Sequence, residues 1–214
     1  MKSSEKIFAE LLERYPALQP CGASIRNACA ALLRTAQAGG KILLCGNGGS
    51  CADCEHISGE LLKGFLSKRP LSESDRKKWE PFEGGDRLSG ALQYGVCAIP
   101  LPAMAAAMTA FSNDVSPEAV YAQLVLAMGK RGDALLCIST SGNSENVVNA
   151  AVTAKALGLA CVGLTGESGG RLAELCDVCV RVPGTETFKI QEFHLPVYHC
   201  ICAILESELF GDRR

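Results

Sequence analysis

Histidine is scarce: three residues in 214, so any imidazole chemistry rests on His56, His194 or His199. A basic excess is missing too. Lys and Arg number 21 against 23 Asp and Glu, a net charge of −2, which argues against nucleic acid as the partner. No run approaches the roughly 18 apolar residues that a membrane span needs. The N-terminus, MKSSEKIFAELLERY, lacks an apolar h-region and a small-residue cleavage site, so it does not read as a signal peptide. These absences lead to the expectation of a cytoplasmic protein. Neither GxGxxG nor a Walker A sequence occurs after a strand, so a nucleotide enzyme is not the first reading. There is no internal repeat and no low-complexity tract.

What is present is enough apolar sequence, 48% against 21% charged, to build a full core and to exclude disorder. Twelve cysteines stand out. Thiols stay reduced in the cytosol. Cys45, Cys137, Cys161, Cys200 and Cys202 lie inside apolar runs and read as small buried hydrophobes. Two CxxC pairs, Cys51/Cys54 and Cys176/Cys179, make a zinc ribbon conceivable. The second pair, however, lies in LCDVCVRV, which reads as a strand, and strand alternation would send its thiols to opposite faces.

Helical spacing covers residues 4–14 and 22–38, the second ending at Gly39–Gly40. Five short apolar runs follow, at 41–45, 96–101, 133–139, 160–165 and 176–182, without polar alternation, as in strands buried on both faces. Helical patterns at about 51–65, 103–111, 117–130, 144–157 and 187–209 separate them. Strand–helix alternation predicts an α/β fold, a parallel sheet between two helical layers. The charged, Pro- and Gly-containing stretch 67–95 breaks the rhythm and reads as an inserted loop, either a functional flap or a tolerated surface insertion.

Two loops have the chemistry to hold a phosphate ester beyond the carboxyl ends of the strands. Gly46-Asn47-Gly48-Gly49-Ser50 joins a strand to a helix and lets the backbone approach a ligand. Ser139-Thr140-Ser141-Gly142-Asn143-Ser144 offers four hydroxyls at another helix start, more than a simple N-cap needs. Beyond the first loop, His56 and Glu60 are four apart and share a helical face, as a metal site or general base would. Asp53 and Glu55 are expected off that face, in solvent. Gln191 and His199 are eight apart, about 12 Å along one helix, so they meet at a midpoint, act at different points, or belong to different subunits. His194 reads as a histidine of the core or one supporting the site.

Taken in order, GNGGS, His56 with Glu60, ISTSGNS, LTGESGG and IQEFH ending in His199 resemble the sugar isomerase (SIS) domain, and more closely the phosphoheptose isomerase family. The resemblance spans roughly 20–209 apart from 67–95. It implies a three-layer α-β-α sandwich, flavodoxin-like, with a five-stranded parallel sheet in a single domain. The helices of residues 1–40 would serve oligomerisation in a homotetramer with active sites between subunits. It implies isomerisation of sedoheptulose 7-phosphate to a D-glycero-D-manno-heptose 7-phosphate, as in heptose biosynthesis. The family's substrate contacts fall on Asn47, Gly48, Gly49, Ser50, Asn113, Asp114, Ser139, Thr140, Ser141, Ser144 and Gln191. Its zinc ligands fall on His56, Glu60, Gln191 and His199, and its acid–base pair on Glu60 and His199. Glutamine is an unusual zinc ligand. Phe188 stands where many members carry an acidic residue. Two other readings stay open: a non-catalytic SIS module that binds a phosphosugar or a replication-initiator partner, and an isomerase of another phosphosugar.

Overall fold

The computed structural model describes residues 2–211. Helix α1 (Ser4–Arg14) starts at Ser3, whose hydroxyl accepts from the Lys6 N–H, and buries Ile7, Phe8 and Leu11. A 3-10 turn over Pro16–Cys21 leads to α2 (Gly22–Gln37). Strands β1 (Ile42–Gly46), β2 (Ala98–Pro100), β3 (Ala134–Ile138), β4 (Ala160–Thr165) and β5 (Val178–Arg181) form one parallel sheet in the order β2-β1-β3-β4-β5. That order reverses between β1 and β3, the topological switch point of a doubly wound sheet.

Every residue of β1 and β3 is buried, so each face needs its own core. Ile42 and Leu44 point into a layer built from α1, α2, α3 (Gly49–Leu62) and α10 (Thr187–Phe210). Leu43 and Cys45 point the other way, against α7 (Val120–Met128) and α8 (Glu145–Ala156). Two further helices complete the frame, α6 (Ala105–Asp114), none of whose residues is buried, and the single turn α9 (Leu172–Leu175).

The stretch 67–95 is ordered. It holds α4 (Glu73–Arg76), a 3-10 turn over Lys77–Trp79 and α5 (Gly85–Ala91), and an antiparallel bridge between Pro70 and Gln93 closes it. Its anchor is a fully buried ion pair. Arg69 Nε donates to Glu206 Oε1 at 2.8 Å, and the backbone N–H groups of Phe65, Leu66 and Ser67 donate to the same carboxylate. Arg69 also donates to the carbonyls of Glu60 and Leu61 at the end of α3. A buried carboxylate with four donors is compensated, and this one ties the insertion to α3 and α10.

One expectation about the cysteines fails. Cys176 is not in a strand: it ends α9, and β5 begins only at Val178. With alternation interrupted, the Cys176 and Cys179 thiols converge, each 3.1 Å from where a Cβ on Gly163 would stand. All twelve cysteines are free, eight of them buried.

Candidate active site

Helices α3 and α10 lie side by side and run in the same direction. Near their starts the Gln191 side chain covers Gly49 so closely that a Cβ there would clash with its amide nitrogen. Two turns further on, His56 and Glu60 from α3 meet Tyr198 and His199 from α10. Glu60 Oε1 stands 3.3 Å from His56 Nε2 and 3.2 Å from His199 Nε2. The two imidazole rings are 5.1 Å apart and nearly perpendicular. Tyr198 Oη is hydrogen-bonded to His56 Nδ1 at 3.0 Å, which fixes the ring and turns Nε2 toward Glu60.

The electrostatics follow from burial. Glu60 is 6% exposed, and desolvation raises its pKa above the usual carboxylate value, with His56 working against the rise. The Cys202 thiol also favours its charged form, but among the described residues Glu60 Oε2 has no hydrogen-bond partner of ordinary geometry. Desolvation lowers the pKa of His199, helped by His56 and Arg14, and its buried Nε2 makes no hydrogen bond of ordinary geometry among the described residues. His199 also lines an apolar groove of about 450 Å³ between α1 and α10, where Phe65 packs 5.8 Å from its ring.

His56, Glu60 and His199 bring one ligand atom each to within 4.8 Å of the others. Two imidazoles and a carboxylate are the protein donor set of a catalytic zinc site. The orphaned Nε2 of His199 and Oε2 of Glu60 are the atoms such an ion would satisfy. Gln191 is not brought into this group. Its side chain lies against Gly49, about two turns away, because a regular helix separates it from His199.

Asp53 departs from expectation. It lies seven residues before Glu60, which returns it to the same helical face, and its Oδ2 is buried. Desolvation raises its pKa, and Tyr198 and His56 favour its charge. Tyr198 carries no signal of its own in the sequence, since an aromatic in an apolar helix reads as core. His194 is fully buried, with neither ring nitrogen in an ordinary hydrogen bond among the described residues. Burial lowers its pKa to about 4, against a smaller opposing effect of the Thr165 backbone, which fits a neutral core histidine.

The hydroxyl loop has its own cavity. Thr140, Ser141, Ser168, Thr185 and Thr187 are among the residues lining a space of about 640 Å³, with no Lys or Arg in its wall. Ser139 is buried, and its Oγ lies 3.1 Å from that of Ser144. Ser144 sits at the N-cap of α8 without capping it, and its hydroxyl pairs with Ser139 instead. Ser168 falls in the LTGESGG motif, whereas Thr185 and Thr187 carry no motif signal in the sequence. Asn47 exchanges two amide hydrogen bonds with Asn146 and accepts from Tyr121, which joins the glycine loop to α8 across the switch point. Gly48 has φ +55°, available at low cost only to glycine. Ser50 is buried under Gly46 rather than open to a ligand. Asn113 and Asp114 bond each other in the exposed last turn of α6.

A doubly wound sheet, a hydroxyl-lined cavity beyond the carboxyl ends of β3, β4 and β5, and a titratable trio further along α10 define a phosphosugar-handling α/β domain. The chain matches the SIS domain family over residues 8–75 and 88–166, with the break inside the insertion. It belongs to that family, in its phosphoheptose isomerase branch. A phosphoheptose isomerase of Campylobacter jejuni is 40% identical over 187 residues, 87% of this chain and 81% of the relative. One of Rhodospirillum rubrum is 36% identical over 90% of this chain and 89% of its own length. Among solved structures, the phosphoheptose isomerase of Francisella tularensis superposes with a TM-score of 0.73 at 30% identity, covering 97% of this chain and all of that one. The Neisseria gonorrhoeae enzyme gives 0.72, also at 30%, covering 95% and 98%.

Proposed function

We propose that the chain is an aldose–ketose isomerase that converts sedoheptulose 7-phosphate into a D-glycero-D-manno-heptose 7-phosphate. The observation that carries this is Glu60 Oε1 between two imidazole nitrogens at 3.3 and 3.2 Å. Aldose–ketose interconversion moves a proton between C1 and C2 through an enediolate, and it needs a base at carbon and a donor at oxygen. Glu60 is the base: burial raises its proton affinity toward that task. His199, neutral at physiological pH, donates at the carbonyl oxygen. Serine and threonine hydroxyls and the N-terminus of α8 receive the phosphate. Ile190 at the hydroxyl cavity and His199 at the trio lie nine residues apart on α10, about 13 Å along its axis. An open-chain seven-carbon sugar with a terminal phosphate spans that separation.

His56, Glu60 and His199 would hold zinc, which when bound polarises substrate oxygens and stabilises oxyanion charge. Holding the ion and donating a proton draw on the same Nε2 of His199, so the two roles exclude each other at any instant. Asn47, Gly48 and Gly49 are proposed to contact the sugar, as is Gln191 from its place over Gly49. The homotetramer, with α6 at a subunit contact, is proposed from the helix's lack of any buried residue. A cytoplasmic location is proposed from the free thiols. In the described residues no helix is long and apolar enough to cross a membrane.

The test is incubation of the purified protein with sedoheptulose 7-phosphate and identification of the product. Formation of the aldose supports the reading. No aldose, with or without added zinc, contradicts it; turnover of a different phosphosugar alone reassigns the substrate.

A further inference from the structure

The twelve thiols are unevenly spread. On the α7/α8 face of the sheet, Cys137 in β3, Cys161 in β4 and Cys176 at the end of α9 bring their Sγ atoms to within 4.8 Å of one another. Cys161 and Cys176 are 3.5 Å apart, and Cys45 continues the row 3.9 Å from Cys137. The space for this cluster is cleared by a glycine. Gly163 lies between Cys137 on β3 and Cys179 on β5, and a Cβ there would press on both Cys176 and Cys179 at 3.1 Å. Glycine inside a buried strand is unfavourable and marks a close approach by something else. Cys137 and Cys161 are fully buried, whereas Cys176 is half-buried and gives access from the surface.

We infer that Cys137, Cys161 and Cys176 form a second metal site, separate from the His56–Glu60–His199 group, for a thiophilic monovalent ion of the copper(I) class. Three sulfur atoms around an ion at about 2.3 Å in a plane stand about 4 Å apart, close to the spacing present. No fourth His, Cys, Asp or Glu atom joins the group among the described residues, so the closed tetrahedron of structural zinc is not offered. A donor set of sulfur alone selects soft ions. The charged groups facing the cluster are Lys155 and Asp177, which pair with each other; the ammonium offsets part of the negative charge that forms as the thiols release their protons to solvent on binding.

The experiment supplies copper(I) anaerobically to the reduced full-length protein against a chromophoric copper(I) chelator. One ion per chain should be withheld from the chelator, with thiolate-to-copper charge-transfer absorption and sulfur-only ligation by X-ray absorption. Cys176→Ser, at a half-buried position outside the strands, and Cys161→Ser should each weaken retention at least tenfold. Cys97→Ser, at an exposed position, and His199→Ala should retain copper as the parent does. If Cys161→Ser does not fold, Cys176→Ser decides alone. Undiminished retention in Cys176→Ser, loss of copper in His199→Ala, or preference for zinc at these thiols overturns the assignment. None of these results bears on the isomerase reading, whose test is turnover.

Discussion

Glu60 and His199, carried by different helices, place Oε1 and Nε2 3.2 Å apart, and burial acts on the two in opposite directions. The carboxylate is made more basic and the imidazole less so. A base and a neutral donor then coexist in one site near pH 7, the division of labour that acid–base catalysis requires.

The pH dependence follows. A carboxyl group with a raised pKa stays protonated to higher pH, so kcat/KM should fall on acidification before the ordinary glutamate value of about 4.3 is reached. His199, with its pKa lowered, should remain neutral below about 6.5. Stability has a definite sign as well. Folded Glu60 binds its proton more tightly than in the unfolded chain, so its contribution is lost as pH rises through the shifted value. Glu60→Gln should therefore gain more stability, relative to the parent, at pH 7 than at pH 4. Urea titrations at both values check this; an equal difference at both contradicts it.

Removing metal should remove activity. Treatment with a strong zinc chelator is expected to lower turnover by about tenfold or more, with recovery on adding zinc. His56→Ala should abolish both zinc retention and recovery, read by metal analysis alongside turnover. Gln191→Ala should still retain zinc, because Gln191 lies over Gly49 rather than with the trio.

The hydroxyl loop should act on binding. Ser144→Ala removes a donor that does not cap its own helix and that pairs with buried Ser139. A hydrogen bond to a charged group contributes about 1.5–3 kcal/mol, so KM should rise about 10- to 150-fold with kcat little changed. Steady-state kinetics separate the two constants.

The one fully buried ion pair seen in the insertion among the described residues is Arg69–Glu206. Arg69→Ala leaves the fully buried Glu206 carboxylate without its cation and should cost about 3–5 kcal/mol in chemical denaturation. Limited proteolysis should then cut within 67–95 first. Because Phe65 is held by Glu206 and packs on His199, turnover should drop as well.

The strands and most helices could be read in the sequence because their residues are buried on both faces of the sheet, as in KILLC and ALLCI, and helix-stop glycines bound them. His56, Glu60 and His199 could be read from spacing and from the family's motifs. What could not be read depends on which helix lies beside which. Gln191 shares a helix with His199, but its partner is Gly49. Asp53 reads as a solvent-exposed residue of the first helical turn, yet seven residues return it to the Glu60 face, where its Oδ2 is buried. The convergence of Cys176 with Cys179 turns on a strand that begins two residues later than the apolar run, and the order within 67–95 turns on Arg69 reaching Glu206 from far along the chain.

Glu60, as the base, should move the proton between C1 and C2 of the sugar. Sedoheptulose 7-phosphate incubated with the protein in deuterium oxide should acquire solvent deuterium at C1, seen by proton NMR or mass spectrometry. Glu60→Gln should acquire none while still binding the sugar phosphate. Equal deuterium incorporation by Glu60→Gln would contradict the account.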